Sequence, residues 1–129
     1  MTQTTSSLSE GSRTRALGAH GEDLAVSYLS ARGFTLVARN WRSGRQGELD
    51  LIMREGDALV AVEVKTRGGR GYGTPLESIT PVKVARLRKL LLTWVHQHQP
   101  GARELRIDAI GITALPGSSP HIEHLRGIS

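Results

Sequence analysis

The chain contains no cysteine. That excludes disulfides, thiolate nucleophiles and cysteine-ligated zinc. Aromatic residues are scarce, at 4% of 129, so a core has to be built from aliphatic side chains. Nowhere does an apolar run approach the roughly 20 residues a membrane helix needs. The opening MTQTTSSLSEGSRTR lacks the apolar stretch of a secretory signal. These absences make a cytoplasmic protein with no membrane partner the expectation. Five histidines are present, but His96/His98 and His121/His124 miss the i, i+4 spacing that sets two ligands on one helix face, which disfavours zinc.

What is present is an excess of positive charge. Lys and Arg number 17 against 12 Asp and Glu, for a net charge of +5. Such a surplus favours polyanionic partners through phosphate neutralisation and counterion release. By itself it does not choose between DNA, RNA and an anionic surface.

The length suits one domain with one core. Residues 1–12 are rich in Ser and Thr without periodicity and are expected to be a disordered tail, leaving 13–129 as the domain. From about 14 to 31, Leu17, Leu24, Ala25, Tyr28 and Leu29 fall on one helical stripe, with Gly33 as the cap beyond it. FTLVAR (34–39) reads as a strand, and NWRSGRQG (40–47) as a loop. Strands GELDLIM and VAVEVKTR follow, joined by a turn at Gly56-Asp57. A glycine-rich loop (68–75) leads to Thr80 as N-cap and Pro81 at the first helical position, opening a second helix to about His98. LRIDAIGIT (105–113) is a fourth strand and HIEHL (121–125) a short fifth. The order α-β-β-β-α-β-β predicts a single α/β domain with a mixed sheet of about five strands flanked by helices.

Chemistry concentrates in the second and third strands. Asp50 precedes Glu63 by 13 residues, and Lys65 completes a Glu-x-Lys. Side chains alternate along a strand, so Glu63 and Lys65 share a face, as do Glu48 and Asp50, with Leu49 and Leu51 opposite. Taken singly, each charge has an ordinary explanation as a surface pair or cross-strand ion pair. Together they are more specific, because both strands are otherwise apolar and charge there is costly unless paired or used. Two carboxylates with a backbone carbonyl such as that of Val64 suit Mg²⁺ or Mn²⁺. Lys65 stands where an ammonium could hold a water or steady charge on a phosphate. Glu22 falls beside Leu29 at the edge of the first helix's apolar stripe, at about 100° per residue. Judged alone it reads as a solvated helix-surface residue. Asp108, in LRIDAI, is a secondary acidic candidate for which a structural role is favoured.

GELDLIM with VAVEVKTR resembles the signature of the PD-(D/E)XK nuclease superfamily. More narrowly, GAHGEDLAVSYLSARGFTLVARNWR, GELDLI, VAVEVKTR, YGTPLESITPVKVARL and LRIDAIGI resemble the YraN-like family of bacterial proteins, which is related to archaeal Holliday junction resolvases. These segments span roughly residues 18 to 112. The resemblance implies a restriction-endonuclease-like domain, with Asp50 and Glu63 as metal ligands and Lys65 as the catalytic lysine. It raises Glu22 to a further catalytic residue and metal ligand. The Pro of the nominal Pro-Asp pair is absent, Leu49 preceding Asp50. Ala61 stands where a bulkier apolar residue is usual, and LRGIS replaces an aromatic ending. None of these departures touches the acidic-lysine set.

Arg39, Arg42, Arg45, Arg67, Arg70, Lys83, Arg86, Arg88 and Lys89 surround these segments. Arg42, Arg45, Arg67 and Lys83 are expected to contact phosphates; for Arg88 and Lys89 a solvated face is an equal expectation. The function implied is a Mg²⁺- or Mn²⁺-dependent endonuclease acting on DNA, branched or structured DNA among its candidate substrates, with a homodimer suiting a junction. Two alternatives stay open: a non-catalytic nucleic-acid-binding module on the same fold, and a domain that meets an acidic protein partner.

Overall fold

The computed structural model describes residues 10–68 and 74–128, the side chains of 10–17 aside. The elements are α1 (Glu10–Ser30), β1 (Thr35–Arg42), β2 (Glu48–Glu55), β3 (Ala58–Gly68), a 3-10 turn (Pro75–Ser78), α2 (Pro81–His98), β4 (Glu104–Ala114) and β5 (His121–Leu125). This is the expected order. The first helix starts at Glu10 rather than near residue 14. Residues 1–9 of the expected tail, and Arg70 with the centre of the glycine-rich loop, lie outside the described residues. No helix among the described residues is long and apolar enough to cross a membrane.

Local chemistry accounts for the boundaries. At the end of α1, Gly33 takes φ 95°, Phe34 N–H reaches back to the Leu29 carbonyl at 3.0 Å and Gly33 N–H to that of Ser30 at 3.2 Å. That pairing closes a helix through a left-handed residue. Gly56, at φ 58°, is the first residue of the two-residue turn between Glu55 and Ala58, where a twist-matched hairpin favours glycine. Thr80 Oγ1 accepts from Lys83 N–H at 3.2 Å, with Pro81 next, so α2 begins where its capping chemistry places it.

The five strands form one sheet in the order β1-β2-β3-β4-β5. Only the β3–β4 pair is parallel. Its crossover carries α2 over one face, while α1 covers the other. Between α1 and the sheet, Ala25 and Leu29 of the helix pack with Phe34, Leu51, Met53, Val60, Val62, Ile110 and Ile112. Between α2 and the sheet, Leu87, Leu90, Leu91 and Trp94 of the helix pack with Leu49, Ile52, Leu59, Ala61 and Ile107. Both sets are nearly water-free, and each large aliphatic side chain so buried contributes about 1.5–3 kcal/mol.

The β1–β2 ladder is irregular at a bulge between Leu36 and Ala38 and again around Asn40 and Asp50, and the second place positions the site. Leu51 packs on the α1 side, yet Leu49 packs on the α2 side. Their partners across the ladder agree: Arg39, opposite Leu51, meets α1, while Trp41, opposite Leu49, packs with the α2 cluster. Between them stand Asn40, at φ 54°, and Asp50. Each strand therefore changes face across one residue, a bulge-like break. The expectation that Leu49 and Leu51 share a face is thereby corrected. A second correction concerns β1, which continues through Arg42 instead of ending at 39, so Arg42 belongs to a strand and not to the loop.

Candidate active site

The break leaves the Asp50 side chain committed to neither helix. Its carboxylate reaches sideways and accepts a hydrogen bond from Val64 N–H at 2.9 Å. It takes the place a backbone carbonyl would hold, just beyond the last β2–β3 pair, Leu51 with Val62. The Val64 carbonyl projects toward the same edge as its N–H, as it does in any extended strand. Glu63, the preceding residue, is turned to the α2 side and is 6% exposed.

Asp50 and Glu63 are close enough to share a hydrogen bond. Burial pushes the Asp50 carboxyl up, the negative charge of Glu63 pushes it further, and the result is about 7 against an ordinary 3.8. The Val64 N–H works in the other direction without cancelling this, and Glu22 adds to the rise.

Two ammonium groups converge on Glu63. Lys83 Nζ lies 2.8 Å and Lys65 Nζ 3.7 Å from Glu63 Oε2. Their mutual proximity separates their proton affinities. Lys65 is lowered, first by its hydrogen bonding with Lys83 and then by burial. Burial acts against the Lys83 ammonium too, but Glu63 outweighs it and leaves Lys83 raised. Lys65 is thus the lysine that gives up a proton more readily.

Glu22 approaches from α1. The helix can sit against β3 there because residue 21 is glycine: a Cβ would overlap the Thr66 hydroxyl and stand 3.1 Å from Thr66 Cβ. The Glu22 carboxylate meets Arg39 Nε at 3.4 Å, and Arg39 also pairs with Asp23 at 2.6 Å. Hydrogen bonding to Asp23 is the main reason the Arg39 guanidinium is raised. Glu22 therefore faces the site while being held by a strand cation.

The candidate residues divide accordingly. Asp50, Glu63 and Lys65 are brought together, with Glu22 alongside. Lys83, expected as a phosphate contact, is an ion-pair partner of Glu63. Arg42 pairs with Glu48 at 3.2 Å on the exposed rim. Arg45 is exposed, and Arg67 lies half-buried near the end of β3. Asp108 has a structural role: fully buried, it accepts from Arg106 at 2.8 and 3.0 Å, His124 at 2.9 Å and Gly127 N–H at 2.9 Å.

The donor chemistry suits a hard divalent cation. Two adjacent carboxylates, one of them without an ion pair among the described residues, and a carbonyl edge are oxygen ligands of the right kind. Among the described residues no group of three His, Cys, Asp or Glu side chains converges as a ligand set. Asp50, Glu63 and the Val64 carbonyl are the groups that could hold such an ion.

Sequence reasoning missed the Lys83–Glu63 pair. The one available signal was the position of Lys83 three residues past the N-cap of a helix that must cross back over β3.

Comparison with known proteins places the chain among relatives of similar length. It is 48% identical over 114 residues to a UPF0102 protein of Nocardioides sp., covering 88% of this chain and 91% of the relative. To one of Rhodococcus opacus it is 51% identical over 111 residues, covering 86% and 93%. To one of Streptomyces coelicolor it is 43% identical over 117, covering 88% of each. A model of the uncharacterised protein family UPF0102 matches residues 21–112, which include Glu22, Asp50, Glu63, Lys65 and Lys83. The chain belongs to UPF0102, the family of YraN-like proteins that its motifs resemble.

Proposed function

We propose that this protein is a Mg²⁺- or Mn²⁺-dependent endonuclease that hydrolyses phosphodiester bonds in DNA, structured or branched DNA included. The observation that carries the proposal is the Asp50 carboxylate. It is half-buried beside the Glu63 carboxylate, and burial and that neighbouring charge hold it up at about 7 in spite of the hydrogen bond it accepts from Val64 N–H. Among the described residues Asp50 has no ion pair, so the fold spends stability on keeping it, and perturbed carboxylates of this kind cluster at functional sites. The resemblance to PD-(D/E)XK nucleases points the same way, as do the five-stranded mixed sheet and the net positive charge.

When bound, a divalent cation would polarise the phosphate and acidify a water. The chain's own residues supply the rest. Asp50 and Glu63 offer ligand oxygens on neighbouring strands. Lys65, lowered by its neighbour Lys83, is suited to orient the attacking water and steady the charge growing on the phosphate. Lys83 holds Glu63 in place and lends a second positive charge. Glu22, with Arg39, borders the pair from the α1 side. In the reaction a water oxygen bonds to phosphorus while one P–O bond to the sugar breaks. The water loses a proton and the departing oxygen gains one. A cytoplasmic homodimer, presenting two such sites to two strands, belongs to the same proposal.

Purified protein with Mn²⁺ is expected to nick linear, flap or four-way DNA, while Asp50→Asn and Lys65→Ala lose about a hundredfold or more. Equal behaviour of wild type and Asp50→Asn on all three substrates would refute catalysis at this site. Salt-sensitive binding without nicking would identify the chain as a non-catalytic nucleic-acid-binding module.

A further inference from the structure

Most cations near the site are occupied. Arg39 pairs with Glu22 and Asp23, Arg42 with Glu48, and Lys65 and Lys83 with Glu63. Arg45, Arg86 and Lys89 stand apart: among the described residues their side chains have no ion pair or hydrogen bond. Arg86 and Lys89 line one place, and Arg45 is next in sequence to a residue that lines it. A cleft of about 380 Å³ opens between the β1–β2 loop and α2, lined by Gln46, Arg86, Lys89, Leu90 and Thr93. Arg45 is the residue before Gln46 at its rim.

The cleft is built rather than incidental. The loop closes on itself through Ser43 N–H to Gly47 carbonyl at 3.2 Å and Gln46 N–H to Ser43 carbonyl at 2.8 Å. It is seated on α2 at Gly47, where a Cβ would stand 3.3 Å from Leu90 Cδ1 and 4.0 Å from Arg86 Cδ. No acid lines the cleft, and α2 has no Asp or Glu in its 18 residues. Its cations at 83, 86 and 89 therefore repel one another at i, i+3 spacing, each pair costing about 0.2–0.5 kcal/mol. Lys83, in the first turn, also opposes the helix dipole. A helix face kept only for solubility would relieve this repulsion with one carboxylate.

Position gives the charge a use. Arg86 lies three residues and Lys89 six residues along α2 from Lys83, about 4.5 and 9 Å of helix rise, and Lys83 touches Glu63. Phosphates of one duplex strand advance about 3.4 Å along the axis per nucleotide. We propose that this cleft is a backbone-phosphate subsite: Arg86 and Lys89, with Arg45 at the rim, hold a polynucleotide strand within about three nucleotides of the phosphate facing Asp50 and Glu63. The subsite rests on the nuclease reading for its orientation, but its binding can be tested separately from cleavage.

The test uses the full chain in EDTA, titrated with a fluorescein-labelled duplex and read by anisotropy across a salt series. Arg86→Ala/Lys89→Ala is expected to raise Kd about tenfold near 0.1 M salt. The log–log salt slope should become shallower by about 1.8, two contacts' worth. Arg32→Ala/Arg103→Ala removes the same charge from surfaces away from the cleft and is expected to keep both affinity and slope. All four side chains are exposed, so thermal melts should show both doubles folded, with Arg86→Ala/Lys89→Ala no less stable than wild type because it relieves the repulsion along α2. If the two doubles behave alike, or wild type binds no duplex, the subsite is overturned. Nicking with Mn²⁺ is scored separately. Binding lost in the first double with no nicking by wild type sinks the nuclease reading alone; nicking with an unchanged slope sinks the subsite alone.

Discussion

Replacing Asp50 with asparagine should make the metal-free protein more stable at pH 8, and by an amount set by the site. Asparagine has the same shape. Its Oδ1 can accept from Val64 N–H, and its amide can donate to Glu63, so little changes besides one charge. The Asp50 carboxyl stands at about 7 in the fold against 3.8 for the free group, burial being the larger cause and Glu63 the next. Each pH unit is worth about 1.4 kcal/mol, so the full difference is about 4 kcal/mol. Between about pH 4 and 7 the folded protein holds a proton that the unfolded chain has released. Stability therefore falls as pH rises through that window and stays low above it. Asp50 retains some contact with water, which trims the expected gain in Asp50→Asn to about 2–3 kcal/mol. For a chain of this size that is roughly 6–15 °C in Tm. The assay is thermal unfolding followed by circular dichroism in EDTA at pH 8 and at pH 5. At pH 5 the unfolded chain has released the proton that the fold keeps, but only about a third of the window from 3.8 to 7 has been crossed, so the variant should gain only about 1 kcal/mol. Mn²⁺ at pH 8 should raise the Tm of wild type and leave that of the variant unmoved. An unchanged or lower Tm for the variant at pH 8, or the same shift at both pH values, would refute the electrostatic account.

Two further outcomes follow from packing. Gly21→Ala forces α1 off Thr66, whose Cβ would be 3.1 Å away, and should cost about 1–3 kcal/mol by urea denaturation; a cost below about 0.5 kcal/mol would show that the contact gives freely. Arg106→Ala leaves Asp108 buried without its guanidinium and should cost about 3–5 kcal/mol. In wild type, burial raises the Asp108 carboxyl but Arg106, Gly127 N–H and His124 together bring it below 3.8. The stability it confers is present above that ordinary value and is lost as pH falls through the lower folded value, so acid titration of stability should show less loss below pH 3.8 in Arg106→Ala than in wild type.

Local signals made most of the frame legible. Thr80-Pro81, Gly33 and Gly56-Asp57 each carry their own hydrogen-bonding or backbone requirement, and each element ends or begins where that requirement is met. The acidic-lysine set was legible for a different reason: charge inside apolar strands has few uses. What escaped was whatever depends on two elements meeting. The face change at Asn40 and Asp50 breaks a period that strand reading assumes. Leu49 and Leu51 satisfy the hydrophobic pattern equally well on either side, so the pattern could not reveal it. Lys83 on Glu63 needs the closeness of α2 to β3. The Glu55–Arg106–Asp108–His124 cluster joins residues 51 and 16 positions apart, and its members look like ordinary strand charges until the sheet is assembled.

The face change is also where fold and proposed chemistry become one argument. A regular β2 would turn Asp50 toward the α2 side with Ile52, leaving Val64 N–H to a backbone carbonyl. Because β1 and β2 both cross over there, Asp50 instead lies between strands, buried by both layers and placed against Glu63 by the register itself. Its raised proton affinity is a consequence of backbone geometry, and Asn40, the one non-glycine residue in the sheet with positive φ, is part of the cause. The loop that follows the crossover, Ser43–Gly47, is the same loop that seats on α2 beside Arg86 and Lys89. One irregularity in two strands thus sets the carboxylate pair and aims a basic cleft along the helix that carries Lys83. On the proposed reading, the stability given up at Asp50 is what leaves its carboxylate open to a cation, and the basic cleft leads away from it along α2.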